Sequence, residues 1–111
     1  MKFVIKEVYN AKVIEIKGKL MGGPEAEDFQ NILRNTISEN KKNVIVDLSD
    51  IGFVNSSGIG ILVRGYTTMK NAEGELKLAG ISDKVKGVLA ITKLNSIFEQ
   101  YTNVEEAAKS L

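Results

Sequence analysis

The chain has 111 residues, 43% hydrophobic and 26% charged, with fifteen basic and fourteen acidic side chains and a net charge of +1. It contains no cysteine and no histidine, which excludes disulfides, thiolate metal sites and the most frequent general base and zinc ligand. The densest basic run is Lys41-Lys42, so a nucleic-acid surface has little support, and no apolar run approaches the ~18 residues of a membrane span.

The first elements read as strands. Phe3 to Val8 and Lys12 to Ile16 are β-rich runs separated by Tyr9-Asn10-Ala11, a hairpin candidate. Val13 faces one side and Ile14 and Ile16 the other. Met21-Gly22-Gly23-Pro24 is a break followed by a helix start, with Glu25, Glu27 and Asp28 placing negative charge on the positive end of the dipole. Ala26, Phe29, Ile32, Leu33 and Ile37 form its apolar stripe, which carries the helix to about Ser38. Val44 to Leu48 is a buried strand broken only by Asp47, a structural hydrogen-bonding group of the loop that follows.

From Ile59 the period changes. Ile59, Leu62, Tyr66 and Met69 share one helical face, and this helix ends near Asn71 with Gly74 as its stop. Leu76 and Leu78 alternate with Glu75, Lys77 and Ala79 as another strand, so strand, helix and strand make a βαβ unit with Val44 and Leu76 parallel. Ser82 caps a third helix with Val85, Val88, Leu89 and Thr92 on its buried side, weakened at Gly87 by about 1 kcal/mol. Ile97-Phe98 is expected to return as a short strand. Thr102 with Glu105, and Asn103 with Glu106, have capping-box spacing for a last helix reaching Ser110. The expectation is a single α/β domain over residues 1–111, with a mixed sheet of about five strands packed with about four helices. The N-terminus does not read as a signal peptide, and a cytoplasmic protein is expected.

Between the buried strand and the second helix lies the stretch with chemical interest. Asn55-Ser56-Ser57 is a helix-start signal, with Ser57 expected as cap or hydrogen-bonding neighbour. Two hydroxyls therefore sit at free backbone N–H groups and the positive end of a dipole, a setting that favours an anion or a phosphate carried by a serine. Ser56 lacks a histidine to activate it, and Arg64, two turns on, is a poor base. Gly58-Ile59-Gly60 with Gly65 meets neither nucleotide-binding glycine pattern. No catalytic residue, metal or cofactor is expected.

The run Asp47-Leu48-Ser49-Asp50-Ile51-Gly52-Phe53-Val54-Asn55-Ser56-Ser57-Gly58-Ile59-Gly60 resembles the signature of STAS domains of the bacterial anti-sigma factor antagonist type. The likeness continues through Gly18 to Leu20, Gly74 to Ile81 and Leu94 to Phe98, and so covers nearly the whole chain. It implies that Ser56 is phosphorylated by a partner serine kinase. It also implies that Gly22, Gly23, Phe53, Asn55, Ser57, Gly58 and Ile59 contribute to a partner-binding patch. The implied cycle is partner switching. The unphosphorylated chain binds an anti-sigma factor of GHKL ATPase type and so releases a sigma factor; that partner phosphorylates Ser56 with its own ATP and Mg²⁺, and a PP2C-type phosphatase resets it. Two positions depart from the family pattern: Asn55 stands where many members carry Asp, and Met21 where many carry an acidic residue. An alternative is a STAS subunit of another assembly, a lipid-transport ATPase or a signalling scaffold, without phosphoregulation.

Overall fold

A computed structural model describes residues 1–8 and 10–111. Its elements are β1 (Lys2–Val8), β2 (Ala11–Leu20), α1 (Glu25–Ser38), β3 (Asn43–Asp47), β4 (Ile51–Val54), α2 (Ser56–Asn71), β5 (Glu75–Ala79), α3 (Asp83–Ile91), β6 (Gln100–Tyr101) and α4 (Val104–Lys109). The strand order is β1-β2-β3-β5-β6, with β4 pairing the far end of β2. Among the described residues only β1 and β2 pair antiparallel, Val8 opposite Ala11; Tyr9, in the turn expected between them, lies outside the described residues. β3 and β5 are parallel, as the βαβ reading requires.

Alternation along the strands divides the sheet into two faces. Ile14, Ile16, Val44, Val46, Leu76 and Leu78 point to the face covered by α1, α2 and α3, where Phe29, Leu33, Ile59, Leu62, Met69, Val85 and Leu89 complete the main core. Val13, Ile45 and Ala79 point the other way and are covered by Ala107 of α4. Most of the hydrophobic stabilisation resides in the first layer, because it buries the larger side chains.

Two strands differ from expectation. Ile51–Val54 is a strand rather than loop, so the sheet has six strands. Its partner is the Gly18–Leu20 end of β2, where the register shifts between Gly18 and Lys19. The last strand is Gln100–Tyr101 and not Ile97-Phe98. Phe98 is instead a core residue, 4% exposed, with its ring edge-on to Tyr66 at 5.6 Å.

The smaller face is tied down by Lys77, a lysine only 6% exposed. Its ammonium lies 2.6 Å from the Glu99 carboxylate and donates to Ser110 Oγ at 2.9 Å and Tyr101 Oη at 3.3 Å. Burial pulls the lysine pKa down, but its bonds to Glu99 and Tyr101 outweigh this and leave it raised. Lys77, followed by Tyr101, holds Glu99 below the usual carboxylate range. Glu99 thus contributes stability above its unfolded pKa and loses it as pH falls through the lower folded value. Lys77 contributes below its unfolded pKa and loses it as pH rises through the raised folded value. The Lys77–Glu99 contact is therefore intact at neutral pH and is lost as pH falls below about 4.3 through the lower folded value of Glu99, while the Lys77 bond to Ser110 remains. The Glu99 side-chain carboxyl resonance should titrate below that of a free glutamate and return toward it in Lys77→Met. Titration of Glu99 as a free glutamate in the parent would rule the contact out.

Candidate functional site

β2 and β4 run parallel and end together, Leu20 opposite Val54. The loops leaving these carboxyl ends, Met21–Pro24 and Asn55, lie side by side and lead into α1 and α2. Open α/β sheets place their sites at such strand ends. The Asn55–Ser57 corner is thus not at the end of the Val44 strand, where sequence alone places it; the intervening β4 moves it to the β2–β4 edge.

The helix start is built by Asn55. Its backbone is extended, and its side-chain Oδ1 accepts from the Gly58 N–H at 2.8 Å. Its own N–H donates to the Leu20 carbonyl at 3.3 Å, and its carbonyl accepts from the Ile59 N–H at 3.1 Å. The cap is therefore Asn55 and not Ser57, because an extended residue one position before the helix has the reach to the third N–H. Ser56 and Ser57 are the first two helical residues, and both are exposed. Their N–H groups belong to the turn that has no intrahelical acceptor. Asn55→Ala should cost about 1 kcal/mol through loss of the cap, seen as a lower denaturant midpoint with an unchanged slope. Stability equal to the parent would show that the cap contributes nothing.

The expected patch residues separate by exposure. Phe53 is 42% exposed; Met21, outside the expected patch and a departure from the family pattern, is 38% exposed. Gly22 and Gly23 are also on the surface. Gly22 packs against Ser57: a Cβ there would lie 2.9 Å from the Ser57 Cβ. Gly23 has φ +134°, a left-handed conformation that favours glycine. Ile59 is a correction, since it is wholly buried in the main core and offers no surface to a partner. Gly58 is also buried, pressed against the Leu20 carbonyl, and its role is internal packing. Asp47 bonds within its loop, accepting from the Ser49 N–H at 3.0 Å.

Charged side chains flank the corner, with exposed Lys19 opposite Phe53 in the β2–β4 register. Arg64 is 3.4 Å from Glu27, which also pairs with Arg34 at 2.9 Å; Arg34, and then Arg64, holds Glu27 below its usual pKa. Lys84 donates to the Gly52 carbonyl at 3.4 Å. Among the described residues no cluster of three or more His, Cys, Asp or Glu could hold a metal. Two hollows, of about 370 and 300 Å³, lie elsewhere, beside Glu7 and Lys41 and beside Ile81 and Lys86. The Ser56 corner lines neither of them. It is an open surface with two exposed apolar side chains and two exposed hydroxyls.

A six-stranded mixed sheet with three helices on one face and one on the other, bearing an asparagine-capped Ser-Ser helix start, defines a small α/β domain of recognisable type. A family model described as STAS domain matches residues 2–107, and the chain belongs to that family. An anti-sigma-B factor antagonist of Listeria monocytogenes is 33% identical over 60 residues, 54% of this chain and 52% of that protein. The aligned region thus spans about half the length of this curated relative. The solved anti-sigma factor antagonist SpoIIAA, in its unphosphorylated form, has TM-score 0.81 at 20% identity, covering 98% of this chain and 95% of that one. The phosphorylated form of SpoIIAA, described as a Bacillus cell fate determinant, has TM-score 0.74 at 19% identity, with 98% of each chain covered. At these identities the solved structures establish the fold. Among the described residues no helix is long and apolar enough to cross a membrane.

Proposed function

We propose that this chain is an anti-sigma factor antagonist switched by phosphorylation of Ser56. The observation that carries the reading is the placement of Ser56. It is exposed at the first helical position, its hydroxyl is not used as the cap, and exposed Phe53 stands just before it in the chain. In the unphosphorylated state the corner around Phe53, Met21, Gly22 and Ser57 binds an anti-sigma factor that is also a serine kinase of GHKL ATPase type, and a sigma factor is released. The partner supplies ATP and Mg²⁺. A PP2C-type phosphatase restores the binding form. The antagonist relatives and the fold shared with both SpoIIAA forms support this reading.

The physical basis of the switch is local. A phosphate adds about −1.5 to −2 charge and three acceptor oxygens. At the start of α2 the free N–H groups and the dipole accommodate it. In a docked interface the same dianion must shed water or displace contacts, a penalty of a few kcal/mol, and every 1.4 kcal/mol is about tenfold in affinity. Binding is lost without refolding.

The test is intact-mass and peptide mass spectrometry on the protein recovered from its own cells, with co-purifying proteins identified. One phosphate on Ser56, and a GHKL-type kinase held only by the unmodified fraction, is the expected result. Absence of phosphate under every growth condition, with a membrane transporter complex co-purifying, would replace this function with that of a transporter subunit.

A further inference from the structure

Strand β1 stands at the end of the strand order and is paired on one side only, with β2, among the described residues. The sheet's other outer strands are short: β6 has two residues and β4 has four. β1 has seven, paired from Lys2 opposite Lys17 to Val8 opposite Ala11 without a bulge and without a proline. Such an edge presents a regular row of backbone N–H and C=O groups to the outside. Native edges of this length are commonly guarded by charge. Here Lys6 and Glu7 are engaged within the chain, Lys6 lying 2.8 Å from Glu15 and Glu7 pairing with Lys41. Ile5, the middle residue, is 48% exposed, on the sheet face where Phe3 stacks against Phe29.

We propose that β1 pairs antiparallel with β1 of a second copy of this chain about a two-fold axis, joining the two sheets into one. The inference stands apart from the function proposed above. A two-fold axis through an antiparallel pair sets one residue opposite itself, so few registers are available, and the residues of β1 choose among them. With Ile5 on the axis, all seven residues find a partner: Lys2 meets Val8 of the second copy, Phe3 meets Glu7 and Val4 meets Lys6. No like charges oppose each other. With Val4 on the axis, Lys2 faces Lys6; with Lys6 on the axis, it faces itself. Like charges directly opposite destabilise a sheet. The register that avoids them is also the one that uses the whole strand and covers exposed Ile5 with a second isoleucine. Length, charge and exposure thus agree on the strand's own copy as occupant. One strand pair buries little area, so the dimer is weak and concentration-dependent.

The experiment follows the full chain by sedimentation velocity from about 1 μM to about 1 mM, where the parent should pass from monomer to dimer with a midpoint on the order of 100 μM. Ile5→Lys, which sets two ammonium groups on the axis, should remain monomeric throughout while its thermal melt shows a folded domain. The chain has no cysteine, so single cysteine substitutions report the register. Opposing Cα atoms of an antiparallel pair stand about 4.5 to 5.5 Å apart, within the span of a disulfide. Oxidised at about 100 μM, Ile5→Cys should therefore cross-link at least about tenfold faster than Val4→Cys or Ile91→Cys. Ile91, 82% exposed on α3, measures chance collision. A parent that stays monomeric at about 1 mM overturns the inference, as does a dimer that persists in Ile5→Lys. Cross-linking at Ile5 no faster than at Ile91 or Val4 also overturns it, and this comparison decides the matter where Ile5→Lys does not fold.

Discussion

Ser56→Asp is expected to lower affinity for the kinase partner by at least about a hundredfold, or about 2.8 kcal/mol, while the domain keeps its fold. The two halves of this expectation have separate causes. Within the domain, a carboxylate at the first position of α2 meets free N–H groups and the positive end of the dipole. That is favourable by about 0.5 kcal/mol, so the melting temperature should hold or rise slightly. Ser56 is exposed, and replacing it disturbs no core contact. At the interface, the carboxylate must be desolvated against a partner docked on the surface that carries Phe53 and Met21. Aspartate brings one charge where a phosphate brings nearly two, so it should imitate the modification incompletely. Calorimetric titration beside a thermal melt checks both halves. Unchanged affinity would sink release by charge. Lost affinity with a collapsed melting temperature would show that the substitution acts through folding.

Much of the fold is legible in the residues, for identifiable reasons. Helix α2 follows its apolar spacing, with Ile59, Leu62 and Met69 buried. The caps at Ser82 and Asn103 are found where short oxygen-bearing side chains precede a helical pattern; they accept from Val85 N–H at 3.3 Å and Glu106 N–H at 2.8 Å. What the residues do not disclose is mostly non-local. Ile51–Val54 contains a glycine and only four residues, and it becomes a strand because the distant end of β2 offers it backbone partners. Gln100–Tyr101 has no alternation to detect, whereas the more hydrophobic Ile97-Phe98 is apolar because it plugs the core. At the site, Asn55, Ser56 and Ser57 are all competent caps by type, and only backbone geometry assigns the role to Asn55. Similarly, Ile59 and Phe53 are both apolar residues of one motif. One is wholly buried and the other 42% exposed, a division set by where the first turn of α2 docks.

Gly58→Ala should be among the most damaging single substitutions at this corner, costing about 3 kcal/mol and lowering the melting temperature by roughly 10 °C. The added Cβ would stand 1.9 Å from the Leu20 carbonyl oxygen, 2.4 Å from its carbon and 3.0 Å from its Cγ. Two of these are backbone atoms of a strand paired to β4, so no rotamer change relieves the clash. The helix start or the end of β2 must move, and either movement strains the 3.3 Å bond from Asn55 N–H to Leu20 and the 2.8 Å cap to Gly58. Gly60→Ala, two residues further on, should stabilise, since its Cβ meets nothing. The same chemical change at two places in one helical turn thus has opposite signs, and the difference is set by which side of the helix each Cα faces. Denaturant unfolding of the two variants beside the parent measures it. A Gly58→Ala protein as stable as the parent would mean that α2 is not seated on β2 as described. Ser57 would then no longer be held against Gly22, nor Ser56 at a defined place at the start of α2.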